Sequence, residues 1–283
     1  MKPVLLLITF LTCQCCAQRL PVVNFNHFYL VIDSADLSAI QKSTFIKDKF
    51  APSETRTTKV DSGTSWTGTY LFGLDNYFEI FDMKGVGEPT GNAGIGFSVD
   101  KTGELKTLDT LLSKKYKLEK FLREKKIGDK NIPWFDGLVI DDSVFFSASH
   151  ISFWLMEYKP EYFSYNHWSS VDNKLSREVY LNEHTQQRKN KILQRFSGLT
   201  LRTSKEEKAF MSDFLLNCGF KKLTENIFAS PENFTIRFMN KIPGQGSVAS
   251  VEFESNTPQN GIEKISDNIQ IELSGKKGRI VFK

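Results

Sequence analysis

The chain has 283 residues, with 40% hydrophobic and 25% charged positions, so it folds around a sizeable core and is not a disordered segment. Its net charge of +4 is small against 37 basic and 33 acidic residues, and no basic block dominates. A nucleic-acid partner or an anionic membrane surface is therefore not expected.

The first 17 residues read as a secretory leader. Lys2 is a positive start, residues 4–11 are an eight-residue apolar run, and Cys15 and Ala17 are the small residues before the cut. Cleavage after Ala17 makes the protein secreted or periplasmic. An uncleaved anchor and a lipid anchor on Cys13, Cys15 or Cys16 are the alternatives. The apolar run is too short for a stable span, so no integral membrane segment is expected after cleavage. Three of the four cysteines lie in this leader. Cys218 alone remains, which excludes an intramolecular disulfide, and its setting in FLLNCGF reads as a small buried hydrophobe.

The stretch NFNHFYLVID, residues 24–33, reads as a buried strand. Phe25, His27, Tyr29 and Val31 share one face, and Phe28, Leu30 and Ile32 the other. A helix follows, capped by Ser34 or Asp36, with Leu37, Ile40, Phe45 and Ile46 facing the core until Pro52. RTTKVD, SWTGTYLFG and NYFEIFDM then read as three strands, with turns at Asp61–Gly63 and Gly73–Asn76. After the Gly- and Pro-rich linker GVGEPTGNAG the pattern repeats. GIGFSVD is a strand, and ELKTLDTLLSKKY is a helix with Leu105, Leu108, Leu111 and Leu112 on one face. IPWFDGLVID and FFSASHISFWLMEY supply further strands. Matching Asp33 to Asp100 sets His27 against Gly94.

Residues 161–195 are polar and read as a helical connector. The charged run from Arg188 to Lys191 reads as a solvated helix face, and His167 and His184 as surface residues. A third unit opens at FSGLTLRTS, followed by a helix with a Ser204–Glu207 capping box and a Gly219 stop. SVASVEFES, DNIQIEL and GRIVFK form a fourth unit lacking a long helix. Asn233 opens an NFT glycosylation acceptor, relevant only to a eukaryotic secretory route. The expected organisation is a leader over 1–17, paired units over 18–160, a connector over 161–195 and a smaller C-terminal region over 196–283. The fold class is α+β, with repeated βαβββ units pairing into a cupped mixed sheet.

Two carboxylates stand out. Glu79 shares a strand face with Tyr77 and Phe81, and Glu157 shares one with Phe153 and Leu155. A carboxylate in an aromatic strand is costly to bury without a partner. A solvated cleft with bonds to Tyr, Trp or backbone groups satisfies it, with His27 a hydrogen-bonded core histidine. A raised carboxyl pKa would equally fit either Glu for general-base chemistry. Tyr29, Tyr77, Trp154 and Tyr158 are the candidate ligand-binding residues of such a cleft.

The stretches NHFYLVID, SWTGTYLFG, NYFEIFD, GIGFSVD and FWLMEYKPEYF resemble the vicinal oxygen chelate superfamily, the glyoxalase and extradiol dioxygenase group. More narrowly, they look like an uncharacterised glyoxalase-like family of bacterial proteins. The resemblance implies a metal held by the first and last strands of each unit: His27, Glu79 and Glu157, with Gly94 leaving the fourth place vacant and His150 as a substitute. That set implies a divalent ion (Zn, Mn, Fe or Ni) supporting lyase, isomerase or dioxygenase-type chemistry on a small oxygenated molecule. Glu79 and Glu157 would then be catalytic. The alternatives are a non-catalytic small-molecule-binding protein and a protein-interaction module. Related folds pair units between chains, which brings a homodimer into consideration.

Overall fold

The computed structural model describes residues 20–60, 64–142, 149–170 and 174–283. The leader, the Asp61–Gly63 turn and the first part of FFSASHIS lie outside the described residues.

The first unit is β1 (Asn24–Val31), α1 (Ser34–Lys42), β2 (Ser53–Lys59), β3 (Ser65–Phe72) and β4 (Tyr77–Phe81). The second is β5 (Ala93–Val99), α2 (Glu104–Leu112), β6 (Leu118–Ile127), β7 (Lys130–Ile140) and β8 (Ile151–Tyr158). They form one eight-stranded mixed sheet in the order β2-β3-β4-β1-β5-β8-β7-β6. In each unit the first strand runs parallel to the last, and the two first strands meet antiparallel at the centre. The sheet curls into a half-barrel, and its edge strands β2 and β6 come together.

Three local features differ from the sequence reading. First, β1 is not a simple alternation. Phe25 pairs with Phe97 and His27 with Gly96, so Asn26 is an extra residue in the ladder. The bulge turns Phe25 to the outer core with Phe28 and Leu30, leaving Asn26 and His27 on the inner face. Second, α1 is capped by Asp33, whose Oδ1 accepts from the Ala35 and Asp36 amides at 3.0 Å each. Third, β6 is a strand of sequence LEKFLREKKI, too charged to announce itself. It is a sheet edge, where lysines are tolerated because they face water and discourage further pairing.

The connector is built of short turns, residues 160–165, 177–180 and 182–188. It presses Tyr162, Phe163, Leu175, Tyr180 and Leu181 into the mouth of the half-barrel. Here two surface expectations are corrected. His184 is buried and stacks on Phe72 with ring centroids 3.6 Å apart. Arg188 is also buried, its Nη1 donating to the Gly73 carbonyl at 2.7 Å. Turns this short carry no periodicity from which a buried face can be read.

The second sheet, of six strands, holds the third unit: β9 (Leu193–Thr203), α3 (Lys205–Asn217), β10 (Lys221–Thr224), β11 (Ile227–Ala229) and β12 (Thr235–Asn240). β9 runs parallel to β12, and on its other side pairs antiparallel with β13 (Val248–Lys264), the place β5 takes beside β1. β14 (Ile269–Phe282) closes the order β10-β11-β12-β9-β13-β14, with no helix after β13. The Ser204–Glu207 capping box is complete, and Gly219 adopts the left-handed conformation after α3. Cys218 is buried in the core.

The outer faces of both sheets share one apolar core. Phe28 and Phe78 of the first pack edge-on to Phe196 of the second. Asn76 clamps the Phe196 backbone, donating to its carbonyl and accepting from its amide, each at 2.9 Å. No helix among the described residues is long and apolar enough to cross a membrane.

Candidate functional site: an aromatic cup

The inner face of the half-barrel is set by register. His27 lies opposite Tyr77, and Tyr29 opposite Glu79. On the other side of β4, Tyr70 lies opposite Glu79 and Phe72 opposite Tyr77. Glu79 therefore sits between Tyr29 and Tyr70 on one face. The second unit contributes Ser152, Trp154, Met156 and Tyr158 from β8. Tyr29 and Trp154 are part-exposed, as are Arg56 and Trp66, and they form the open end of the cup. Tyr158 and the connector's Tyr180 stack at 4.7 Å and close the other end.

Glu79 is only 8% exposed, yet its carboxylate receives no hydrogen bond from any described residue. Desolvation pushes its pKa from 4.5 to about 8, against a smaller opposing pull from Arg56. The Tyr29 hydroxyl donates to Glu88 at 3.0 Å and pairs with Ser152 at 3.2 Å. The Tyr70 hydroxyl accepts from the Trp66 indole at 3.0 Å and meets Thr58. Arg56 is bound to Glu54 and lies over the Tyr70 ring, 4.3 Å from its centroid.

His27 is 7% exposed, and burial holds its pKa down at about 3, so the ring is neutral at pH 7. Its Nδ1 lies 2.8 Å from the Asn26 amide oxygen. That oxygen can only accept, so Nδ1 carries the proton and Nε2 keeps a lone pair. Asn26 donates in turn to Ser98 and to the Tyr158 hydroxyl. The imidazole stacks on Tyr77 at 4.6 Å and meets Trp154 edge-on at 5.2 Å. The glycines of β5 make room for these rings: a Cβ on Gly96 would lie 2.8 Å from His27 Cε1, and one on Gly94 would overlap the Tyr29 ring. The place opposite Gly94 is thus filled by Tyr29.

Glu157 is on the opposite face. Its two oxygens accept from the Gly103 and Leu105 amides at 2.8 and 2.9 Å, closing the N-terminus of α2. With Asp33 matched to Asp100, Tyr29 corresponds to Gly96, and the parallel partner of Gly96 is Trp154. The second-unit counterpart of Glu79 is therefore Trp154, not Glu157. This corrects the metal expectation. His27, Glu79 and Glu157 do not converge, and no group of three His, Cys, Asp or Glu among the described residues is placed to hold a metal ion. The Zn, Mn, Fe or Ni centre has no ligand set here. His150 does not replace the missing ligand; it sits on an exposed turn with Nδ1 2.9 Å from Asn92 Oδ1.

Several cup residues were not singled out from the sequence. Asn26 and Arg56 looked like ordinary strand positions, and Tyr180 is far away in the chain. Lys125, in the charged edge strand β6, donates to the Tyr162 hydroxyl at 3.0 Å, and burial lowers its pKa to about 8.

A separate cleft of about 510 Å³ lies between the sheets, lined by Asp33, Asp36, Arg202 and Lys241. Arg202 there is engaged by the Gly246, Val248 and Phe282 carbonyls, Asp33 caps α1, and Asp36 accepts from the Asn268 side chain, so these groups hold the structure in place.

Comparison with curated proteins finds no match. A family comparison matches residues 25–282, the span of both sheets and the connector. The chain belongs to that family, a Family of unknown function (DUF5829).

Proposed function

We propose that the chain is a small-molecule-binding module whose ligand enters the cup between Tyr29, Trp66 and Trp154 and is read by Glu79 and His27. The observation that carries this reading is the Glu79 carboxylate, buried among aromatic rings with no hydrogen-bond donor among the described residues. Structural carboxylates at such depth are ordinarily paired, as Glu157 is. An unpaired one with a strongly raised pKa marks a place for a guest. His27 Nε2 adds an acceptor, and Tyr77 and Trp154 add flat apolar surface. The curled sheet of two strand–helix–three-strand units supports kinship with the glyoxalase-like group as part of this proposal.

A second reading has its own support. A carboxyl titrating near pH 8 is suited to proton transfer, so Glu79 is the proposed base if the bound molecule is also transformed. Glu157, bound to two amides, would serve only to fix α2. Export by the leader belongs to the same proposal, resting on Lys2 and residues 4–11. An exported chain beginning at Gln18 supports it, and a wholly cytoplasmic chain overturns it.

The binding reading is tested by following the indole N–H resonances of the four tryptophans during titration with a library of small polar organic fragments. Fragments that shift the Trp154 and Trp66 signals support it. A library that moves neither signal at millimolar concentration sinks it.

A further inference from the structure

We propose that the guest of this cup is a small organic ammonium ion, with Glu79 as its counter-ion and the rings of Tyr29, Tyr70, Tyr77 and Trp154 as its cage. The inference rests on the reading of the cup as a binding site and adds the chemical class of the ligand.

The cup withholds its own donors from Glu79. Tyrosines flank Glu79 on both neighbouring strands, yet no hydroxyl bonds to it. The Tyr29 hydroxyl is occupied by Glu88 and Ser152, and that of Tyr70 by Trp66 and Thr58. What remains around the carboxylate is π surface, with the Arg56 charge close enough to pull on it but not bonded to it. A ring face carries negative partial charge and attracts a cation, most strongly where water is excluded. Aromatic rings around one unpaired carboxylate offer a compact cation both charge neutralisation and ring contacts.

The resident cations do not meet this need. Arg56 is paired through Nη1 with Glu54 and lies over the Tyr70 ring, its Nε unpartnered among the described residues and not in an ion pair with Glu79, and Lys125 is bound to Tyr162. His27 is neutral and so does not repel a positive guest. An anionic guest would face Glu79 and the negative faces of the rings. A neutral guest would leave the carboxyl group to be satisfied as its acid.

The proposal carries a pH signature. The groups facing Glu79 are His27 and Tyr29 from β1, Arg56 with its partner Glu54 from β2, Tyr70 from β3, Tyr77 from β4 and Tyr180 from the connector. Burial moves the tyrosines upward and His27 downward, away from neutrality. Glu79 and Lys125 of β6 are then the groups around the cup that change charge near pH 8, and the Glu79→Gln variant separates the two. A cation binds the ionised form of Glu79, so binding tightens as pH rises through that value.

The test compares choline with its uncharged isostere 3,3-dimethylbutan-1-ol on the full chain, by calorimetry and by the tryptophan indole resonances. Choline is expected to bind at least roughly tenfold more tightly at alkaline pH, a preference within the range of desolvated cation–π and charge contacts. The preference should shrink about a pH unit or more below the Glu79 titration and vanish in a folded Glu79→Gln variant. Equal affinity for the two probes, or a preference that survives Glu79→Gln, overturns the ammonium assignment. If the isostere or other neutral fragments shift Trp154 while choline does not, the cup remains a binding site and the cation class falls. If neither probe nor any fragment shifts Trp154, both readings fall together.

Discussion

Glu79 and Glu157 occupy matching descriptions: each is a buried glutamate in the last strand of a unit, amid aromatic residues. Their environments are opposite. Glu157 faces the helix layer, where two backbone amides at the start of α2 need an acceptor. Glu79 faces the cup, where the tyrosine hydroxyls nearby are already bonded to something else and no described residue donates to it. The difference teaches that burial alone does not mark a functional carboxylate. Whether the fold gives it a partner decides the matter, and a shift of one residue along a strand decides which side it meets.

The comparison breaks most visibly if each carboxylate is removed in turn. Glu157→Ala strands two amides at a buried helix end, and charge-assisted hydrogen bonds of this kind contribute about 1.5–3 kcal/mol each. A loss of about 3 kcal/mol or more in urea unfolding is expected, with Glu157→Gln recovering part of it. A loss below about 1 kcal/mol would show that the cap is dispensable.

Glu79→Gln should behave in the opposite sense, and its effect depends on pH. Between 4.5 and about 8 the folded state keeps a proton on Glu79 that the unfolded chain releases. More protons bound when folded means stability falls as pH rises through that window. The cost approaches about 3 kcal/mol at the alkaline end, after allowance for water reaching the carboxyl group. Glu79→Gln removes this slope, so stability curves of wild type and variant converge at acid pH and separate at alkaline pH. Parallel curves would refute the unpaired-carboxylate picture.

His27 provides the mirror case within the same cup. Its folded pKa lies near 3 against an ordinary 6.5, so the unfolded chain takes up the proton first. Its contribution is therefore present above pH 6.5 and is lost as pH falls toward 3, by about 2 kcal/mol near pH 4. His27→Phe keeps a ring against Tyr77 and should flatten this acid limb, read by denaturant midpoints across pH.

The paired positions in β1 and β5 give a smaller effect. Gly94→Ala places a methyl group against the Tyr29 ring and is expected to cost between about 1 and 2 kcal/mol. Adding Tyr29→Ala should relieve the clash, so the double variant loses less than the sum of the two singles. The smallest change concerns helix caps. Ser204→Ala opens the local capping box of α3 and should cost about 1 kcal/mol, less than removing the distant Glu157 cap of α2.

Much of the fold was legible because it is local. The strand–helix–three-strand order repeats as a pattern of hydrophobic period and turn residues, and it appears in both units of the first sheet and again in the third. The capping box of α3 is written within four consecutive residues, Ser204 to Glu207. Strand parity also put Glu157 with Phe153 and Leu155 and Glu79 with Tyr77. It did not say which of those faces is the cup. The bulge at Asn26 was invisible because an inserted residue is recognised only against a partner strand.

The α+β class, the repeated unit and a carboxylate set among aromatic residues on one strand face are all written locally in the chain. These follow from side-chain periodicity and backbone preferences, which act over a few residues. The assembled sheet sets the rest: Glu157 ends a helix, Tyr29 covers Gly94, Tyr180 plugs one end of the cup, and Glu79 receives no hydrogen bond from any described residue. Those outcomes depend on which strands lie side by side, and that is set by burial of a core assembled from residues far apart in the chain.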